Sequence, residues 1–118
     1  MSPAARSMYY FSFYLYLTGI TLMAIPNTFL SIVKLPETNE VWIRVVGVLA
    51  VGIGYYYHRT AVENISAVFK HSVVVRIFVV LCFIIFVVAG FVSPILLVFA
   101  AIDLLGAIWT LTALRKRE

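Results

Sequence analysis

From Ile77 to Leu114 the chain runs for 38 residues with a single charged side chain, Asp103. As one helix this stretch would extend about 57 Å at 1.5 Å per residue, nearly twice the roughly 30 Å hydrocarbon core of a bilayer. It has to fold back on itself. Gly90 and Ser93-Pro94 supply the place, because Pro94 lacks an amide hydrogen and steers Ser93 away from helical angles. The run then divides into two spans, at about 72–91 and about 95–114.

Two further spans precede them. Ser7 to Val33 is free of Lys, Arg, Asp and Glu, and Pro26-Asn27 breaks it, which predicts a helix over about 7–25. A cleaved signal peptide is the competing reading. The apolar region exceeds the usual 7–15 residues or so, is crowded with tyrosines and lacks an Ala-x-Ala site, so it is expected to be retained. After Pro36-Glu-Thr-Asn-Glu40, Thr38 or Asn39 can cap a helix over about 40–58. The expected fold is an all-α membrane protein, a single domain over residues 1–118 built as a four-transmembrane-helix bundle. Composition agrees: 64% of the residues are hydrophobic, 12% are charged, and the mean hydropathy is +1.06. Soluble domains carry roughly 45–50% and 25%.

Basic residues flanking short loops are retained in the cytoplasm. One face would carry Arg6, Arg59, Lys70, Arg76, Arg115, Lys116 and Arg117, the other only Lys34 and Arg44. This places both termini inside, in a plasma or bacterial inner membrane, with anionic lipid headgroups as the partner of the basic face. No stripe of basic residues could track nucleic-acid phosphates. Two loop segments are amphipathic and predict short helices lying in the interfaces: residues 59–71 inside, with Ala61, Ile65, Val68 and Phe69 on one side, and Phe29 to Leu35 outside.

Asp103 needs a partner, because a carboxylate near mid-membrane costs about 2.5–3.5 kcal/mol on insertion scales. Gly106, Ala107 and Thr110 follow it at helical spacing and form a small, polar stripe. It is either a proton or cation site, or a buried carboxyl that holds helices in register. Arg44 could reach it from the outer side and Arg76 from the inner side. Tyr14 and Thr18, on a face shared with Tyr10 and Thr21, could donate hydrogen bonds to it. The alternative for the arginines is that they extend to the nearest headgroups, which is the expectation for Arg76. In the second span, Ala50 and Gly54 form a small-xxx-small pair suited to close packing, with Gly47 and His58 on the same helix. His58, after three tyrosines at the inner interface, is a weaker candidate, as a proton relay.

Catalytic constellations are missing. His58 and His71 are the only histidines and Cys82 the only cysteine, so no helical His pair, Cys-rich metal site or intrachain disulfide can form. There is no Walker loop, dinucleotide fingerprint or nucleophile elbow. No cofactor is expected, and an enzyme made of this chain alone is not.

Arg44-Val-Val-Gly-Val-Leu-Ala-Val-Gly-Ile-Gly-Tyr-Tyr-Tyr57 and Asp103-Leu-Leu-Gly-Ala-Ile-Trp-Thr-Leu-Thr-Ala-Leu114 resemble the pattern of small bacterial four-helix membrane proteins of the DoxX-like kind. The resemblance implies an inner-membrane bundle, some of whose relatives accompany oxidoreductases, and it transfers no catalytic residue. Three functions stand as expectations. The first is a non-catalytic bundle that binds lipid, a membrane protein partner or a second copy of itself. The second is a small proton-coupled transporter using Asp103. The third, implied by resemblance, is an accessory membrane subunit of a quinone-linked oxidoreductase.

Overall fold

The computed structural model describes residues 1–116, which form five helices and no strand. Helix α1 (Pro3–Ala24) starts where Ser2 Oγ accepts the Ala5 amide at 3.1 Å, with Pro3 at the first helical position. Pro26 ends it, and the chain turns by 115° into the short α2 (Pro26–Ile32). Helices α3 (Trp42–Val62), α4 (Ser66–Val88) and α5 (Leu96–Lys116) complete the chain.

Three of the reversals use one device. After α2, α3 and α4 a residue in the left-handed region stands just past the helix end: Lys34 (φ 61°), Asn64 (φ 53°) and Gly90 (φ 82°). In each case that residue's amide bonds the carbonyl three back, and the next amide reaches five back, as in Asn64 to Ala61, Ile65 to Thr60, Gly90 to Val87 and Phe91 to Phe86. These are Schellman caps, which satisfy the last carbonyls of a helix.

The cap at Asn64 overturns one expectation. Residues 59–71 are not a separate interfacial helix: α3 continues through Arg59 to Val62 and α4 begins at Ser66, with only Glu63–Ile65 between them. Of the apolar residues in that stretch, Ala61 belongs to the end of α3, Val68 and Phe69 to the start of α4 and Ile65 to the turn, and Ala61 and Phe69 share the core. The segment expected at the other interface falls on α2 and its C-terminal cap.

Helix α1 is central and touches every other helix, packing most extensively on α3, while α4 packs on α5. Residue pairings show that α1 runs antiparallel to both α3 and α5: Phe11 meets Tyr57 while Gly19 meets Gly47, and Ser7 meets Thr110 while Phe11 meets Gly106. A Cβ on Gly19 would lie 2.7 Å from the Gly47 carbonyl oxygen, and one on Gly47 would lie 2.6 Å from that of Gly19. The two backbones are in direct contact there, while Gly54, of the Ala50–Gly54 pair read from the sequence, packs closely on α1 side chains, its added Cβ lying 3.1 Å from Tyr16 and 3.2 Å from Leu15.

The apolar core gathers at the end of the bundle that holds Ser2 and the Asn64 turn. It comprises Ala4, Ala5, Met8 and Phe11 of α1, Tyr57 and Ala61 of α3, Phe69 of α4 and Ala113 of α5. Outside it, Leu17, Val88, Phe91 and Leu105 are 67–81% exposed. Helices α4 and α5 are each long and apolar enough to cross a membrane, and α1 with α2 qualifies as a bent pair. This marks a membrane protein.

Candidate functional site

Polar residues inside the bundle form two tiers separated by Phe11 and Gly106. The lower tier surrounds Arg76, which was expected to extend to a headgroup. Instead its side chain is turned inward and only 3% exposed. Nη2 donates to Thr110 Oγ1 at 2.9 Å and to Ser72 Oγ at 3.0 Å, and Nε donates to the Ser72 carbonyl at 3.3 Å. The guanidinium carbon lies 5.0 Å from the Phe11 ring centre and 5.5 Å from that of Tyr57, within cation–π range.

Thr110 Oγ1 also pairs with Ser7 Oγ at 2.6 Å, so α1, α4 and α5 are joined at one point. Nη1 is buried and has no acceptor among the described residues. The expectation for Arg76 failed on depth. With α4 starting at Ser66 rather than near residue 72, Arg76 stands ten residues, about 15 Å, along the helix.

The upper tier is the floor of a cavity of about 250 Å³. Tyr14 and Thr18 of α1 and Asp103 of α5 are its polar residues. Its remaining lining is Leu, Ile, Val and Phe: Leu15, Leu22, Phe29, Leu30, Leu35, Ile43, Val46, Phe83, Leu96 and Phe99. The sequence grouped Asp103, Tyr14, Thr18 and Thr110; the structure places the first three on this cavity and Thr110 with Arg76. Asp103 and Thr110 are seven residues apart, about 10 Å along α5. Among the described residues the one ion pair is Arg59–Glu63 at 3.2 Å, so Asp103 has no cationic partner within 4.0 Å.

Arg44 does not reach Asp103. Its Nη1 donates to the Met23 carbonyl and, at 3.5 Å, to that of Ala24. The break at Pro26 deprives those carbonyls of helical partners, and a guanidinium at a helix C-terminus satisfies both their hydrogen bonding and the helix dipole. The other members of the predicted α1 face diverge as well. Tyr10 is exposed and stacks on Trp109 at 6.0 Å, and Thr21 Oγ1 bonds the Leu17 carbonyl. His58 lies beside α1, where Nδ1 pairs with Tyr16 Oη at 3.2 Å and Tyr9 packs edge-on at 5.4 Å.

The Arg76 cluster was the residue set that sequence reasoning missed. Its available signal was Ser72 and Arg76 one turn apart in an otherwise apolar helix. Met8 Sδ and Ser7 come from the first turn of the first predicted span, and only packing brings them in: Ser72 Oγ donates to Met8 Sδ at 3.1 Å.

Comparison of the chain with protein-family models, curated proteins and solved structures finds no match.

Proposed function

We propose that this chain is a four-span bundle of a bacterial inner membrane, both termini cytoplasmic, that binds a lipophilic small molecule in the cavity above Asp103. The observation that carries the reading is the cavity itself: apolar walls from all five helices and the loop after α2, with a short polar floor. Binding sites for small molecules have this composition, many apolar contacts and a few placed polar groups. An engineered cavity of about 150 Å³ lined by apolar side chains takes up benzene, so 250 Å³ has room for a ring with a small head. Binding is favoured over transport because the way from the floor toward the cytoplasmic end is filled by Phe11, 8% exposed, and Arg76.

For α3 to be the fourth span, Arg44 and Arg59 must both lie near its ends, and they do, at its third and eighteenth residues. The bend after α1 then places α2 at the outer interface, and the Asn64 cap falls on the side with most of the basic residues. Single cysteines at position 37 and position 64, in a Cys82→Ala background, are expected to react with a membrane-impermeant maleimide from opposite sides. Labelling of both from the same side overturns the topology.

Filling the cavity tests the binding. Leu22→Trp is expected to leave the fold intact and to abolish the methyl chemical-shift changes that an apolar aromatic such as neopentylbenzene induces in wild-type Leu15 and Val46. Unchanged wild-type spectra on titration would remove the reading.

A further inference from the structure

The cavity is apolar except at one end, and the chemistry of that end selects among apolar ligands. Asp103 is the only ionisable group in the lining besides the Tyr14 phenol. It has no cation within ion-pair distance among the described residues. A carboxylate held in a low-dielectric interior without a counter-charge is costly, and the cost is relieved by a cation that enters beside it.

The walls suit such a guest. Tyr14, Phe29, Phe83 and Phe99 all line the cavity, and Phe29 and Phe99 stand 5.8 Å apart. Aromatic rings attract organic cations through their quadrupoles, and the attraction is larger where water is excluded. The nearest positive group, Arg76, is in the tier below. Its Nη1 lies 3.1 Å from where a Cβ of Gly106 would stand, one turn from Asp103, and Phe11 packs against the same glycine. Arg76 does not line the cavity, and its guanidinium is engaged by Ser72, Thr110 and two aromatic faces. A guest therefore meets the carboxylate at closer range than the guanidinium, and Coulomb attraction to the nearer charge prevails.

We propose that the cavity is selective for organic monocations, a quaternary or protonated amine carried on an apolar body, with Asp103 as the counter-ion and the aromatic side chains as the wall. This rests on the cavity-binding reading and adds the ligand's charge to it.

The test uses two molecules of one shape, benzyltrimethylammonium and its neutral carbon isostere neopentylbenzene, titrated into the full-length protein in zwitterionic nanodiscs. Both are compared at equal concentration in the bilayer, and binding is followed by the methyl resonances of Leu15, Leu22 and Val46. The cation is expected to bind about tenfold more tightly than the isostere. Asp103→Asn should remove that preference, so that the cation and its isostere bind with equal affinity, and Asp103→Glu should retain it. Equal wild-type affinities overturn the inference and leave the cavity reading standing, as does a preference that survives in Asp103→Asn. Failure of both molecules to bind overturns both. The comparison within wild type requires no variant to fold.

Discussion

Gly47→Ala is expected to destabilise the bundle by about 2–3 kcal/mol, although the same exchange at an unconstrained helical site would stabilise it by up to about 1 kcal/mol. The new methyl would sit 2.6 Å from the Gly19 carbonyl oxygen and 2.9 Å from the Met23 amide nitrogen. These are backbone atoms, so no rotamer change relieves the clash, and α1 and α3 must move apart. Because α1 packs more extensively on α3 than on any other helix, separation there weakens the largest contact in the molecule. Gly52→Ala is the control: it lies in the same helix, and its added Cβ meets nothing within 4 Å. It is expected to be neutral or slightly stabilising. Unfolding in mixed micelles with increasing dodecyl sulfate reads both. The double variant Gly19→Ala/Gly47→Ala should cost less than the sum of its parts, since one displacement accommodates both methyls. Equal stabilities for Gly47→Ala and Gly52→Ala would mean that the backbones do not touch at this point.

The glycine contact also shows what could be read in the sequence and what could not. Small residues on the second predicted span announced close packing, and Gly90 with Pro94 announced the reversal before α5. Both are local signals, one a missing side chain and the other a backbone preference. The partner of Gly47 was not legible, because Gly19, although the only glycine of α1, is matched to it only once the register of the two helices is known. Asn64 was read as part of an amphipathic helix because the residues around it keep helical spacing across the turn. The cap depends on one residue adopting a left-handed conformation, and asparagine permits that conformation without requiring it.

The candidate site was legible for the same reason that Asp103 is conspicuous: one acid in a long apolar run. Tyr14 and Thr18 could be placed near it by depth alone. Depth also misled, for Arg44 and Arg76 alike. A long side chain has several acceptors within reach, and the choice is made by which of them lacks a partner. Arg44 found carbonyls released by the Pro26 break, and Arg76 found the hydroxyls of Ser72 on its own helix and Thr110 on α5. The Met23 and Ala24 carbonyls and the Thr110 hydroxyl all belong to helices other than the arginine's own.

Replacement of Arg76 is expected to follow an unusual order, with Arg76→Met least harmful, Arg76→Ala intermediate and Arg76→Lys worst. The arginine's stem and guanidinium fill the space beneath Phe11 and Tyr57, and alanine would leave a cavity there costing about 2–4 kcal/mol. Methionine restores most of the volume without the charge. The groups it abandons remain bonded, since Thr110 keeps Ser7 at 2.6 Å and Ser72 Oγ keeps the Phe69 carbonyl at 2.7 Å. It also removes an Nη1 that had no acceptor. The desolvation cost of the charge is recovered, so the net change should be within about 1 kcal/mol. Lysine keeps the charge but lacks the fork that reaches Ser72 and Thr110 together, leaving an ammonium poorly compensated in the interior at about 3–5 kcal/mol. Unfolding of the three variants in the same micelle titration gives the order, and a methionine variant as unstable as the lysine one would show that the charge itself holds the helices. The methionine variant reports on the cavity as well. With the positive charge one turn below Asp103 gone and the shape kept, benzyltrimethylammonium should bind more tightly than to wild type, while neopentylbenzene should be indifferent.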